Sequence, residues 1–139
     1  MKWSYHIGGE PPIVTLVASG PAEFGGFAEY LDSILSDPTW HRGMKCLADF
    51  RQLNLNTLTH ADVIRLADLH IQFAERIGDS RIACVVSRPV DFGIFRMWQA
   101  MVAEKFPAQA VFYDLVEAMR WLEKDMPENP DAVRPAIAP

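Results

Sequence analysis

The sequence has few cysteines and no surplus of positive charge, and both features narrow the class of protein. It contains 13 lysine and arginine residues against 18 aspartate and glutamate residues, with a net charge of −5. Because no basic stripe is present, we expect no nucleic-acid partner and no attraction to an anionic membrane surface. The 2 cysteines, Cys46 and Cys84, fall in predicted central strands. There they are expected to be small buried side chains in a reducing compartment, with no disulfide.

Long hydrophobic runs and known catalytic motifs are missing too. No apolar stretch reaches the roughly 18 residues that span a membrane, and no basic segment followed by an apolar run opens the chain. We therefore expect a cytoplasmic protein without a transmembrane segment. There is no Gly-x-Ser-x-Gly elbow and no phosphate-binding glycine loop, and the 4 histidines are scattered. The sequence thus predicts no metal site, no cofactor and no catalytic residue.

The region 45–78 is the most informative part of the chain. The segment KCLADF, ending near Asp49, is typical of a strand buried on both faces. A polar connection over 51–58 follows, and then an amphipathic helix is predicted over 59–77. Thr59 and Asp62 have the spacing of a capping box, and Gly78 can supply the left-handed stop. The pattern therefore predicts a strand, a loop and a helix.

The remaining segments extend this pattern in both directions. They are an antiparallel hairpin (3–7 and 13–19), a helix from about Phe24 to before Pro38, a buried strand (81–87), a helix (91–106), a last strand (109–113) and a final helix after Asp114. Strands that alternate with helices indicate an α/β layered domain. We predict a five-stranded mixed sheet that opens with the hairpin, four helices, a single domain over 1–125 and a proline-rich disordered tail over 126–139.

Several segments together resemble a known bacterial family. They are ADFRQLN, ADVIRLADLH, IACVVSRPVDFGIFRMW and AVFYDLVEAMRWLE, and they are similar to the SpoIIAA-like, or STAS-like, small domains. The resemblance implies a non-catalytic regulatory module that binds a protein partner. In the anti-sigma-factor antagonists of this kind a serine within an Asp-Ser pair is phosphorylated; here Thr57 and Thr59 occupy that region without the pair.

The helix predicted over 91–106 favours an interaction surface. Its large apolar residues spread over more than half of the circumference, a wider arc than one core-facing stripe requires. We therefore expect a homodimer or a protein partner to cover Phe95, Trp98 or Met101. Arg96, on the same helix, is a candidate to pair with an acid or an anionic ligand.

A second hypothesis is a small-molecule pocket. The SpoIIAA-like domains are similar in shape to the lipid-binding CRAL-TRIO domains, and this resemblance implies a lipid-like, hydrophobic or amphiphilic ligand beneath the helices. His70 lies in the middle of the apolar face of the helix predicted over 59–77. It is either a neutral core histidine with hydrogen-bond partners or a group that contacts a ligand.

The third hypothesis is an enzyme centred on Asp49. Ligands of open α/β sheets gather at the carboxyl ends of strands, where Asp49 and Arg88 are predicted to lie. A carboxylate that closes a buried strand needs a partner, which Arg51 or Arg88 could supply. Asp91 and Asp114 are explained more simply as helix caps, as is Thr59, and Thr57 as a loop hydroxyl. The sequence favours a binding module over this enzyme.

Overall fold

The computed structural model describes residues 1–124. The predicted end of the domain at residue 125 and the predicted tail over 126–139 lie outside the described residues. The strands are β1 (Lys2–Gly8), β2 (Ile13–Pro21), β3 (Cys46–Asn54), β4 (Ile82–Val85) and β5 (Gln109–Phe112). The helices are α1 (Phe24–Leu35), α2 (His60–Gln72), α3 (Ala74–Ile77), α4 (Pro89–Val102) and α5 (Leu115–Glu123), with a 3-10 turn at Leu55–Thr57.

The five strands form one mixed sheet in the order β1-β2-β3-β4-β5. The strands β1 and β2 pair antiparallel, and every later pair is parallel. Parallel neighbours require a crossover between them, and here helices supply the crossovers. The predicted α/β class, the mixed five-stranded sheet and the opening hairpin are confirmed.

Helices cover the sheet unequally on its two faces. Successive side chains of β3 point to opposite faces of the sheet, so they belong alternately to two different cores. Ala48 and Phe50 belong to the larger core, to which α1, α2 and α4 contribute. Leu47 belongs to a smaller core that includes Ala118 and Leu122 of α5. One face of the sheet therefore carries three of the longer helices and the other carries α5.

The strand β3 is longer than the sequence predicted. Residues 51–54 were expected in a polar connection, but they continue the strand, and 52–54 pair with the end of β2, as in Gln52 with Ser19 and Asn54 with Pro21. The pairing resumes after a register shift between Val17 and Ser19. The polar residues mislead the prediction because this end of β3 is solvent-exposed at Arg51 and Gln52.

The helix predicted over 59–77 is two helices. The Phe73 N–H is shared between the carbonyls of Leu69 and His70, at 3.2 Å each, which is a common arrangement at the end of an α-helix. The separate turn α3 places Ile77 in the core at 4 % exposure. Five helices are therefore present among residues 1–124, where four were predicted.

The predicted helix ends agree with the structure at three positions. Thr59 and Asp62 form the expected capping box, and Gly78 has the positive φ of 71° expected of a stop. The Asp114 carboxylate accepts hydrogen bonds from the backbone N–H groups of Val116 and Glu117. These confirmed predictions depend on local chemistry only, which sequence spacing expresses directly.

A buried arginine fixes the last helix. Arg81 is 6 % exposed, and its guanidinium lies over the Trp121 ring at 4.1 Å. It donates hydrogen bonds to the backbone carbonyls of Trp121 and Lys124, which are acceptors left free at the end of α5. Arg81 thereby ties α5 to the start of β4, an arrangement that sequence spacing does not indicate.

Candidate ligand cavity

A cavity of about 120 Å³ lies between the inner face of the sheet and the helices α1, α2 and α4. The strands contribute Val14 and Leu16 from β2 together with Cys46 and Ala48 from β3. Cys46 and Ala48 are short side chains of β3, the middle strand of the sheet, and they leave space beneath the helices above them. The cavity therefore lies over small residues of the central strand.

Helical and loop residues, with Phe50 of β3 and Ile82 of β4, complete a lining that is almost entirely apolar. They are Phe27, Tyr30, Leu31, Ile34, Leu35, Trp40, Phe50, Leu55, Leu58, Val63, Leu66, His70, Ile77, Ser80, Ile82, Ile94, Phe95 and Trp98. The Ser80 hydroxyl already donates to the Ile77 carbonyl at 3.1 Å. The polar atoms of the lining thus belong mainly to aromatic side chains.

His70 occupies the side of the cavity formed by α2. Its Nδ1 lies 2.8 Å from the Leu66 carbonyl oxygen, and its ring meets the Trp98 ring edge-on with centroids 4.9 Å apart. Burial lowers the pKa of His70, although the hydrogen bond to Leu66 acts in the opposite direction. The ring is therefore held neutral and in a fixed orientation beside the cavity.

The structure alters the predicted role of α4. Phe95 is only 7 % exposed, and Trp98 and Met101 are half-buried and pack against the larger core. Phe95 is covered within the chain, because α2 and the 3-10 turn pack against α4. Trp98 and Met101 keep part of their surface exposed, so their burial by a partner stays a prediction. Arg96 is exposed and does not line the cavity. Of the predicted binding residues, the cavity brings together His70, Phe95 and Trp98.

Asp49 lies on the other face of the sheet. It is an interior residue of β3, so the prediction that it closes the strand is wrong, although its partner β4 ends opposite it at Val85. Its carboxylate accepts two hydrogen bonds from the Arg51 side chain, at 2.9 and 2.8 Å. Hydrogen bonding from Arg51 lowers the pKa of Asp49. The expected partner is thus present, and the pair is separated from the cavity by the sheet.

Asp91 forms a second ion pair, one that the sequence analysis missed. It was predicted as a helix cap, but α4 begins two residues earlier at Pro89, and Asp91 is 0 % exposed. Its carboxylate accepts from Arg88 at 2.8 and 2.9 Å and from the Leu55 backbone N–H at 3.0 Å. Arg88 also donates to the Asn54 side chain at 2.6 Å. The cluster joins the start of α4 to the end of β3.

The two threonines have structural hydrogen bonds. The Thr59 hydroxyl accepts from the Asp62 backbone N–H at 3.1 Å. The Thr57 hydroxyl donates to the carbonyl oxygens of Ala22 and Asn54, at 2.7 and 3.1 Å. Both hydroxyls therefore serve the entry into α2, and neither lines the cavity.

The cysteines are free thiols, Cys84 buried and Cys46 half-buried. Burial raises the pKa of Cys46 to about 12 and raises that of Cys84 as well, so both remain protonated at neutral pH. Among residues 1–124, no group of three or more His, Cys, Asp or Glu side chains is placed to hold a metal ion. Over the same residues, no helix combines the length and apolar character needed to cross a membrane.

The mixed sheet and its unequal helical layers define a layered α/β domain, and comparison with solved structures specifies which one. The chain is similar to a protein of Shewanella loihica described as an uncharacterized member of the DUF3478 family with a SpoIIAA-like fold. The TM-score is 0.59 and the identity 16%, over 86% of this chain and 93% of that chain. No protein-family model matches the sequence, and no curated protein matches it. The chain has a SpoIIAA-like, STAS-like fold, as the sequence resemblance predicted.

Proposed function

We propose that this chain binds a small, mostly apolar molecule in the cavity between the sheet and the helices α1, α2 and α4, and that it makes and breaks no covalent bond. The observation that carries the proposal is the cavity of about 120 Å³ with an apolar lining. Protein interiors are close-packed, and voids larger than a water molecule are few. A cavity of this size is therefore an exception to ordinary core packing.

Occupancy of the cavity favours the stability of the fold. An unfilled cavity destabilises a fold by about 24 cal/mol per Å³, so 120 Å³ corresponds to about 3 kcal/mol. An apolar lining gives water too few hydrogen-bond partners to occupy such a space favourably. An apolar ligand restores the missing contacts, and that gain stabilises the folded state by mass action.

The test is to look for the occupant directly. Native mass spectrometry of the purified protein is expected to show an added mass, which solvent extraction releases and gas chromatography with mass spectrometry identifies. The control variant is Ala48→Leu, because Ala48 lines the cavity at 4 % exposure and a larger side chain there occupies the space. If no mass is recovered and small apolar probes fail to bind wild type in titrations, the proposal is wrong.

A second candidate function is the protein-interaction module that the fold resemblance implies. Its support is a set of exposed apolar residues, Val90 at 43 %, Tyr113 at 51 % and Val116 at 57 % exposure, near the starts of α4 and α5. Tyr113 stacks on Phe92 with ring centroids 5.0 Å apart. In this candidate function a homodimer or protein partner covers this surface.

The two candidates are separated by oligomeric state. If the surface around Tyr113 joins two copies, sedimentation is expected to show a dimer that Tyr113→Ser weakens. Trp98→Phe serves as the control, because Trp98 lines the cavity and lies outside this surface. A monomer at all accessible concentrations excludes the homodimer form of this candidate.

A further inference from the structure

Trp98 offers an unused hydrogen-bond donor at the cavity. Its indole Nε1 is buried, and no acceptor within residues 1–124 bonds to it. A buried donor without a partner costs about 1–3 kcal/mol in general, and most buried side-chain polar atoms are paired. The other tryptophan of the lining differs, because Trp40 donates its Nε1–H to the Arg76 carbonyl at 3.1 Å. Trp98 is therefore the tryptophan of the lining whose donor is left for a ligand.

His70 offers the matching acceptor. A backbone carbonyl can only accept, so the 2.8 Å contact with Leu66 places the proton of the neutral ring on Nδ1. Nε2 then carries a lone pair. The His70 and Trp98 rings lie on facing helices with centroids 4.9 Å apart. A donor and an acceptor thus stand on adjoining rings of the same lining.

The lining lacks a permanent charge. Its ionisable side chains are His70, Tyr30 and Cys46, and it contains no lysine, arginine, aspartate or glutamate. A carboxylate or an ammonium group placed there would be buried without an opposite charge, which is strongly unfavourable. The polar end of the occupant must therefore be neutral, and it must both donate and accept a hydrogen bond.

We infer that the bound molecule is a neutral alcohol whose hydroxyl oxygen accepts from Trp98 Nε1 and whose hydroxyl hydrogen is donated to His70 Nε2, with an apolar body in the rest of the cavity. This inference rests on the proposed function. The volume suits a body of about one six-membered ring, since an apolar protein cavity of about 150 Å³ takes up benzene.

The experiment compares two probes of nearly the same shape, cyclohexanol and methylcyclohexane, in NMR titrations of the ¹⁵N-labelled full chain. Cyclohexanol is expected to shift the Trp98 indole N–H resonance downfield, and methylcyclohexane is expected to bind without that shift. The variant Trp98→Phe assigns the resonance and removes the donor. Its affinity for cyclohexanol should fall about 2- to 10-fold, the effect of one hydrogen bond, relative to its affinity for methylcyclohexane.

The matched control is Trp40→Phe, which alters the lining but removes an N–H that is already bonded to Arg76. It should change the affinities for both probes by the same factor. If both probes bind and the Trp98 resonance moves with neither, the alcohol inference is wrong while the cavity function stands. If neither probe binds, the cavity function itself is wrong. Tighter binding of cyclohexanecarboxylate than of cyclohexanol would also overturn the inference. If Trp98→Phe does not fold, nuclear Overhauser contacts in the wild type assign the Trp98 resonance, and its shift still decides the question.

Discussion

The cavity predicts an unusual response to a larger side chain at Ala48. The change Ala48→Leu adds three carbon atoms, and burying them is worth about 0.8 kcal/mol each. Fixing the leucine rotamer costs about 0.5–1 kcal/mol, so the net gain is about 1.5–2 kcal/mol. We expect the free energy of unfolding of the ligand-free protein to rise by this amount. In most cores the same substitution is destabilising.

Ala83 provides the control on the opposite face of the same sheet. It is 0 % exposed and belongs to the smaller core with Leu122 of α5, and it does not line the cavity. Ala83→Leu is therefore expected to destabilise the fold by about 1–3 kcal/mol through overpacking. The two variants should differ by about 2.5–5 kcal/mol although the chemical change is identical.

The assay is urea unfolding followed by far-ultraviolet circular dichroism, on protein refolded from urea and dialysed so that no bound molecule contributes. The free energy of unfolding should rise for Ala48→Leu and fall for Ala83→Leu. Equal destabilisation by both variants would refute the reasoning, because it would mean that the face of the sheet beneath the cavity is packed as tightly as the face beneath α5.

Four further changes test individual contacts. Burial lowers the pKa of His70 below its unfolded value of about 6.5, so the unfolded state binds more protons. The free energy of unfolding should therefore fall as the pH is lowered from about 7 to about 5, and His70→Gln should lack that slope. Asp49 has a lowered pKa, so its contribution is present above about pH 4 and lost at lower pH; the stability difference between wild type and Asp49→Asn should shrink on acidification. Asp91→Ala should cost about 1–3 kcal/mol in urea unfolding, because it leaves the buried Leu55 N–H without its acceptor, and an unchanged stability would contradict this. Thr59→Ala should cost about 1 kcal/mol through loss of the cap, and Thr59→Ser should restore most of it.

The sequence predicts those parts of the fold that depend on neighbouring residues. The alternation of buried strands and amphipathic helices gives the α/β class, and the spacing of Thr59 and Asp62 gives the start of α2. The end of β3 was predicted too early, because Arg51 and Gln52 are polar and only their pairing with β2 keeps them in the sheet. Pairing between distant segments has no signature in local composition.

In the candidate site, too, local features were predicted from the sequence and long-range features were not. The position of His70 on the apolar face of its helix predicted that it would meet the interior, and it does. The broad apolar arc on α4 has a partial explanation within the chain, since Phe95 is buried in the larger core and α2 packs against α4. The cavity depends on the combined sizes of Ala48, Cys46 and the helical side chains above them. No single segment contains that information.

The place of Cys46 in the cavity lining makes this thiol a natural reporter of access to the interior. A thiol with a pKa near 12 has almost no reactive thiolate at neutral pH, so a disulfide reagent modifies the half-buried Cys46 slowly. Opening of the lining around Cys46 raises the rate of modification, and an occupant that holds the lining in place lowers it. Entry and exit of a ligand can thus be timed without adding any foreign label to the chain.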